Sequence, residues 1–118
     1  MVRVIPRHWT PYRRPRDGEL VGYLAPEGEL VVPLTVFGSP LAEAVAWSRA
    51  IEVLERDGLS SLSERWLLQL DGGDEIMVMI LSAFPDRVEV VRADYGIYSH
   101  DSDRYTLAVP TDGRLHRD

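Results

Sequence analysis

Residues 75–84 form the most hydrophobic stretch of the chain, with the sequence EIMVMILSAF. An amphipathic helix would carry a polar residue at every third or fourth position, and this stretch does not. As a β-strand, it places Ile76 and Val78 on one face and Met77 and Met79 on the other. Because both faces are apolar, the pattern predicts a central strand that is covered above and below.

The segments around this stretch are predicted to be strands joined by tight turns. Residues 26–28 (PEG) and 71–74 (DGGD) are typical of turns between antiparallel strands. Pro33 has no backbone N–H to donate, so its strand is expected at a sheet edge or at a bend. The predicted strands cover residues 19–24, 30–37, 65–70, 87–93 and 105–109.

One long helix is predicted over residues 40–57. Ser39 is a suitable N-cap residue and Pro40 is favoured at the first helical position. Gly58 is typical of the position that follows a helix C-terminus. These signals together define both ends of the predicted helix.

The two sides of this helix differ in polarity. One side carries Glu52 and Arg56, in the order that favours an ion pair one turn apart, together with Ser48, Arg49 and Glu55. The other side is apolar over more than half of the circumference, which exceeds what one sheet would cover. A second surface is therefore expected to contact it. Its residues are Ala42, Ala44, Ala46, Trp47, Ala50, Ile51, Val53 and Leu54.

The predicted element order is ββαβββ, with a further strand at the end. It describes an α+β protein with a mainly antiparallel sheet of five or six strands and one long helix. Profilin-like and PAS-like domains have a similar order, and the similarity is one of element order alone. No repeat or linker divides residues 1–118, which are predicted to form a single domain.

The composition excludes several chemistries. The chain has no cysteine, which removes disulfides, thiolate nucleophiles and cysteine-ligated metals. All 13 basic residues are arginine and asparagine is absent, a bias that indicates a GC-rich bacterial genome rather than a function. Because the N-terminus has no apolar signal-peptide core and the longest apolar run has the length of a strand, a soluble cytoplasmic protein is predicted.

Charge is unevenly distributed along the chain. The net charge is −6, yet residues 1–16 hold five arginines and no acid, while the remainder holds all 19 acids. An acidic body of this kind repels nucleic acid and anionic membranes at long range. Neither is therefore expected to be the main partner.

The basic arm, residues 1–16, is predicted to be extended, because its three prolines disfavour a helix. Trp9 and Tyr12 are large side chains, and the preferred interpretation is that the arm wraps its own acidic body with Trp9 on an apolar surface. The alternative is an arm that reaches a separate protein or nucleic acid, with its rings as stacking partners. Its arginines are Arg3, Arg7, Arg13, Arg14 and Arg16.

Residues 94–104 are predicted to form a long acidic loop, and residues 110–118 a polar tail with a turn at Asp112 and Gly113. The loop combines carboxylates with an imidazole, but it lacks the further oxygen ligands of a calcium loop, so no metal site is predicted. It is expected to be solvated with its tyrosines on the sheet edge, or to bind the basic arm. Its functional groups are Asp94, Tyr95, Tyr98, His100, Asp101 and Asp103.

No catalytic residue and no cofactor are predicted. Ser99, His100 and Asp101 are adjacent in one loop, whereas a catalytic triad needs the histidine to lie between the other two groups in space. Gly72 and Gly73 stand between two strands and do not open a helix, so they do not form a phosphate-binding loop.

The sequence therefore favours a non-catalytic protein-binding module that forms a homodimer, since one helix cannot cover both faces of the predicted sheet. A sensor of a small apolar ligand is the alternative, with a pocket lined by Trp47, Ile51, Leu54, Trp66 and Met79. Nucleic-acid binding through the arm is a further alternative. The candidate partner surface comprises Arg7, Trp9, Tyr12, Arg13, Arg14, Trp47, Met77 and Met79.

Overall fold

A computed structural model describes residues 5–111 and 113–117. Residues 1–4 of the predicted arm, and Asp112 and Asp118 of the predicted tail, lie outside the described residues. The elements are β1 Thr10–Arg13, β2 Leu20–Glu27, β3 Leu30–Leu34, α1 Trp47–Asp57, a 3-10 helix Ser60–Ser63, β4 Arg65–Gln69, β5 Glu75–Ala83, β6 Arg87–Arg92, a 3-10 turn Asp94–Gly96, β7 Arg104–Ala108 and β8 Leu115–Arg117.

The strands form two antiparallel sheets rather than the single sheet that was predicted. One sheet has the order β1-β2-β3 and the other has the order β7-β6-β5-β4-β8. The predicted α+β class with one long helix is confirmed. The difference arises because part of the arm forms β1, which joins β2 and β3 in a sheet of their own. The two sheets enclose one core between them.

The predicted central strand is confirmed, since β5 lies in the middle of the five-stranded sheet. Its Val78 pairs with Trp66 of β4 on one side and with Arg92 of β6 on the other. Ile76 and Val78 are buried, whereas Met77 and Met79 are partly exposed. The far face of β5 is therefore only partly covered in the single chain, because α1 packs against β2 and β3 and the turn Asp94–Gly96 contacts β5.

The core lies between the two sheets and includes Trp66, which is fully buried. Its ring meets Phe37 edge to face, with 5.1 Å between the ring centroids. Its indole N–H donates to the backbone oxygen of Ser61 at 2.8 Å, so the one polar atom of this side chain is satisfied. Leu24 of β2 and Leu54 of α1 complete this part of the core.

The helix begins at Trp47 and not at Pro40 as predicted. The segment before it is extended because it pairs with the edge of β3: Val31 and Val45 exchange backbone hydrogen bonds of 2.9 and 2.8 Å, and Leu41 N–H donates to Pro33 O at 2.9 Å. This pairing gives the N–H of Val31 a partner that a helix would not supply. β3 is the outer strand of its sheet, as its proline predicts.

The predicted polar arc of the helix is exposed throughout. Its ion pairs differ from the predicted one between Glu52 and Arg56. Glu52 accepts from Arg49 at 3.0 Å, and Arg56 donates to Asp57 at 3.1 Å. On the apolar side Ala50, Val53 and Leu54 are buried, while Trp47 stays 52% exposed at the first turn.

Gly58 follows the helix, but for a different reason from the predicted one. Its φ of −54° and ψ of −58° are right-handed values that any residue adopts. A Cβ atom at this position would lie 2.5 Å from the backbone oxygens of both Val21 and Leu54. Glycine is required here because α1 and β2 approach closely.

The predicted polar tail is ordered structure in its described part. Leu115–Arg117 forms β8, which pairs with β4, and Leu115 is fully buried. Arg117 donates to Glu64 at 2.7 Å and lies 3.6 Å from Asp57. These contacts explain why a segment with a polar sequence forms a strand: its neighbours supply both a backbone ladder and charge partners.

The ion pairs of Asp57 predict an acid-dependent loss of stability. The hydrogen bonds from Arg56 hold the pKa of the Asp57 carboxyl below its usual value of 3.8; burial opposes this shift and Arg117 adds to it. A carboxyl whose pKa is lower in the folded state contributes stability above its unfolded pKa and loses that contribution as the pH falls through the folded pKa. We expect Asp57→Asn to lower the free energy of unfolding at pH 7 by about 1 kcal/mol and to reduce its decline below pH ~4.

Urea unfolding from pH 7 to pH ~2.5 measures this effect. Asp71→Asn is the matched control, because it removes one negative charge from an exposed turn. If Asp57→Asn and the wild-type protein lose stability in parallel as the pH falls, the proposed contribution of Asp57 is wrong.

Candidate interaction surface

The outer face of the five-stranded sheet is the side that points away from the shared core. Alternation along β4 and β5 sends Trp66 and Val78 inward and Leu67, Met77 and Met79 outward. These three outward side chains are partly exposed and adjacent, since Leu67 pairs with Met77 in the ladder. The centre of the outer face is therefore a partly exposed apolar strip, which the turn Asp94–Gly96 borders and on which the described helix α1 does not pack.

Charged side chains of both signs border this strip. Arg104 of β7 stands beside Val91, which in turn pairs with Met79. Glu89 lies in the next row of the sheet. At the other end, Nε2 of His116 lies 2.8 Å from a carboxylate oxygen of Glu75. An apolar centre with a mixed polar rim is the usual composition of a protein–protein interface.

The 3-10 turn Asp94–Gly96 brings the acidic loop to this face. Ala93 N–H donates to Met77 O at 3.0 Å, which fixes the start of the turn beside β5. Tyr95 then adopts a left-handed backbone, with φ 57° and ψ 25°, and its side chain is 91% exposed. A non-glycine residue in this conformation costs about 1 kcal/mol or more. Ile97 is 76% exposed beside it.

A shallow cavity of about 370 Å³ connects the strip and the turn, and it is lined by Met77, Arg92, Asp94 and Tyr95. Residues from two predicted sets thus meet here, Met77 of β5 and the loop residues Asp94 and Tyr95. Ile97 was missed, although an isoleucine within an acidic loop was a visible signal.

The remaining predicted loop residues do not form a metal site. His100 and Asp101 are 3.5 Å apart and almost fully exposed, and Asp103 contributes its backbone oxygen to Arg92 N–H at 2.8 Å. Within residues 5–111 and 113–117, no three His, Asp or Glu side chains are placed to hold a metal ion.

The aromatic residues of the arm pack on their own chain. Trp9 lies against Tyr23 of β2, with 6.1 Å between ring centroids. Tyr12 donates from its hydroxyl to Glu55 at 3.0 Å; desolvation raises the pKa of this phenol, and the hydrogen bond adds to the shift. These two rings therefore contact β2 and α1 and do not join the outer face.

Two arginines of the arm are engaged by neighbouring groups. Arg13 donates to Gly18 O at 3.2 Å, and Arg14 donates to both carboxylate oxygens of Asp17, at 3.1 and 2.7 Å. Arg7 is exposed. The arm therefore presents less free positive charge than its sequence indicates.

The residues of the predicted ligand pocket are not brought together. Trp66 and Leu54 are fully buried in the core, Met79 is on the outer face, and Trp47 projects from the start of α1. A different apolar cleft of about 260 Å³ lies between the sheets and is lined by Leu20, Tyr23, Val36, Leu59, Leu62 and Phe84, among others. The sequence did not reveal it, because its walls come from four separate segments.

Comparison with known proteins finds limited similarity. No family model and no solved structure matches the chain. Two curated relatives are named "Putative hemin import ATP-binding protein HrtA", from Staphylococcus aureus strains Newman and USA300. Each is 30% identical over 89 residues, which is 74% of this chain and 40% of the relative. The chain thus spans less than half the length of these relatives. Among the described residues, no helix is long and apolar enough to cross a bilayer.

Proposed function

We propose that this protein is a non-catalytic, cytoplasmic protein-binding module that acts as a homodimer, and that the outer face is its binding surface. The observation that carries this proposal is the partial exposure of Met77 and Met79 in the central strand of the sheet, a position that is normally fully covered. Methionine side chains are flexible and polarizable, so they adapt well to a partner surface.

The size of the outer face suits such a role. The five strands have three to nine residues each, rise about 3.3 Å per residue and lie about 4.8 Å apart, which gives the sheet a footprint of roughly 450 Å². The exposed side chain of Tyr95, which lines the cavity beside Met77, extends it by about 150–250 Å². The sum of about 600–700 Å² lies at the low end of the roughly 600–1,000 Å² per partner of a standard interface.

The named activity of the relatives receives no support from this chain. An ATP-binding loop of the Walker type ends in Gly-Lys followed by Ser or Thr, and its lysine reaches the phosphates. The chain contains no lysine at all. Nucleic acid is also a poorer fit than protein, because Arg14 is already paired with Asp17 and the net charge is −6.

A photo-crosslinking experiment tests the proposed surface. Benzoylphenylalanine in place of Met79 is expected to give discrete crosslinked protein products in the native cell. The same group in place of Leu30, a 44% exposed leucine of the other sheet, should give none of these products. Met77→Glu should weaken binding of the captured partner about thirty-fold, which is about 2 kcal/mol, because it places a charge in a desolvated contact.

Circular dichroism and thermal unfolding of Met77→Glu serve as the folding control. The proposal fails if positions 79 and 30 give the same products, or if a folded Met77→Glu protein binds the captured partner as tightly as the wild type does.

A further inference from the structure

The two open sheets have four edge strands, β1, β3, β7 and β8, and three of them are protected in the part of the chain that the structure describes. β1 contains Pro11, which cannot donate, and its register shifts at Tyr12. β3 is covered by the segment that ends at Val45. β8 has three residues and is tied by the Arg117 guanidinium to Leu41 O at 3.4 Å.

β7 is the exception. It pairs with β6 on one side, and no described residue makes a strand pair or a backbone hydrogen bond with its other side. The strand has five residues and no proline, and Arg104 is its one charged side chain. An open edge of this kind is a template for pairing with another strand.

The backbone hydrogen bonds between β6 and β7 show which residues of β7 direct their N–H and C=O groups to the open side. Arg92 N–H donates to Asp103 O at 2.8 Å, and Val109 N–H donates to Asp86 O at 3.1 Å. Along an antiparallel strand, alternate residues direct their backbone N–H and C=O groups to opposite sides. Asp103 bonds to β6 and Val109 bonds to the residue just before it, so the odd-numbered residues between them also direct their backbone groups to β6. The backbone N–H and C=O groups of Arg104, Thr106 and Ala108 therefore face outward.

We propose that β7 pairs antiparallel with β7 of a second copy, with Thr106 on the two-fold axis. Three outward-facing residues centred on Thr106 are self-complementary under this symmetry: Arg104 pairs with Ala108 of the partner subunit, and Thr106 pairs with its own copy. The pairing forms about six backbone hydrogen bonds. It joins two five-stranded sheets into one continuous sheet.

The side chains fit this register. No like charges face each other, because Arg104 lies opposite an alanine, and a threonine pair across strands is favourable. On the inner side, the partly exposed ring of Tyr105 lies opposite Leu107 of the partner subunit, which gives it an apolar neighbour. This edge contact is separate from the outer face, and it places the two outer faces side by side.

Thr106→Pro tests the contact. The wild-type protein is expected to be a dimer of its 13.4 kDa chain in sedimentation velocity, and Thr106→Pro a folded monomer. Proline removes an outward N–H and leaves the ladder to β6 intact, so the fold should persist. Thr106→Val keeps the N–H and should remain a dimer. Met77→Glu should also remain a dimer, which separates this proposal from binding at the outer face.

A single cysteine gives an independent test, because the chain has none of its own. Two hydrogen-bonded Thr106 positions would be about 5.5 Å apart between Cα atoms, within the range of a disulfide. Thr106→Cys should therefore form covalent dimers under mild oxidation, and Ser48→Cys on the exposed helix side should not. A monomeric wild type, a dimeric Thr106→Pro protein, or equal crosslinking of the two cysteine variants overturns the proposal.

Discussion

Replacing Trp66 with alanine is expected to lower the free energy of unfolding by about 3–5 kcal/mol, the range for loss of a large buried aromatic side chain. The ring is fully buried between the sheets and contacts Phe37 edge to face. Alanine leaves a cavity that the surrounding strands cannot close, and Ser61 O loses the indole donor that lies 2.8 Å away. Urea unfolding at neutral pH measures the change.

Trp47→Ala provides the matched control, since it removes the same side chain from a position that is 52% exposed. Its expected cost is below about 1 kcal/mol, because most of the ring already contacts water. Equal destabilisation by the two substitutions would show that the core does not lie around Trp66.

Replacing Gly58 with alanine is expected to cost about 3 kcal/mol, at the upper end of the range for overpacking. The added methyl group would lie 2.5 Å from Val21 O and from Leu54 O, and 3.2 Å from the Val21 side chain. Both oxygens belong to the backbone, so relief requires α1 to move away from β2. Thermal unfolding and urea unfolding both report this change.

Gly72→Ala is the control for Gly58→Ala. Gly72 has no heavy atom within 4 Å of its Cβ position, so we expect a change within about 0.5 kcal/mol. If Gly58→Ala is equally mild, the close approach of helix and strand does not limit this site.

The elements that the sequence predicted best are those specified by their own side-chain pattern. β5 is apolar at nearly every position, and its central place in a sheet follows from that pattern alone. The exposed side of α1 is likewise visible as a polar arc. Both features are set by the order of apolar and polar residues within one short segment, and a single sequence shows that order directly.

The elements that were predicted wrongly depend on distant partners. Ser39 and Pro40 favour a helix locally, but the segment up to Val45 instead pairs with the edge of β3 that would otherwise be open. Leu115–Arg117 reads as a polar tail, and it becomes a strand because β4 offers a free edge and Glu64 offers a charge partner. Such competition between local preference and tertiary pairing is not encoded in any short stretch.

The candidate surface was predicted in part. Met77 and Met79 were identified from the two-faced pattern of their strand, and Tyr95 from the composition of its loop. Their proximity could not be predicted, because it depends on the hydrogen bond from Ala93 N–H to Met77 O and on the left-handed backbone of Tyr95. The arm residues were assigned to the same surface from the charge of the arm and from its large rings, but Trp9 packs against β2 and Tyr12 lies in β1, both at the other sheet.

The position of β8 has a consequence for synthesis on the ribosome. β4 to β7 follow one another as neighbours and can form as soon as they emerge, but the second partner of β4 is β8, the last strand among the described residues. Until residues 115–117 leave the exit tunnel, the nascent chain carries an incomplete sheet. The backbone groups of β4 that later bond to β8 have no strand partner in that interval. Chaperone contact would matter most in that interval, when premature pairing with another nascent chain competes with native closure.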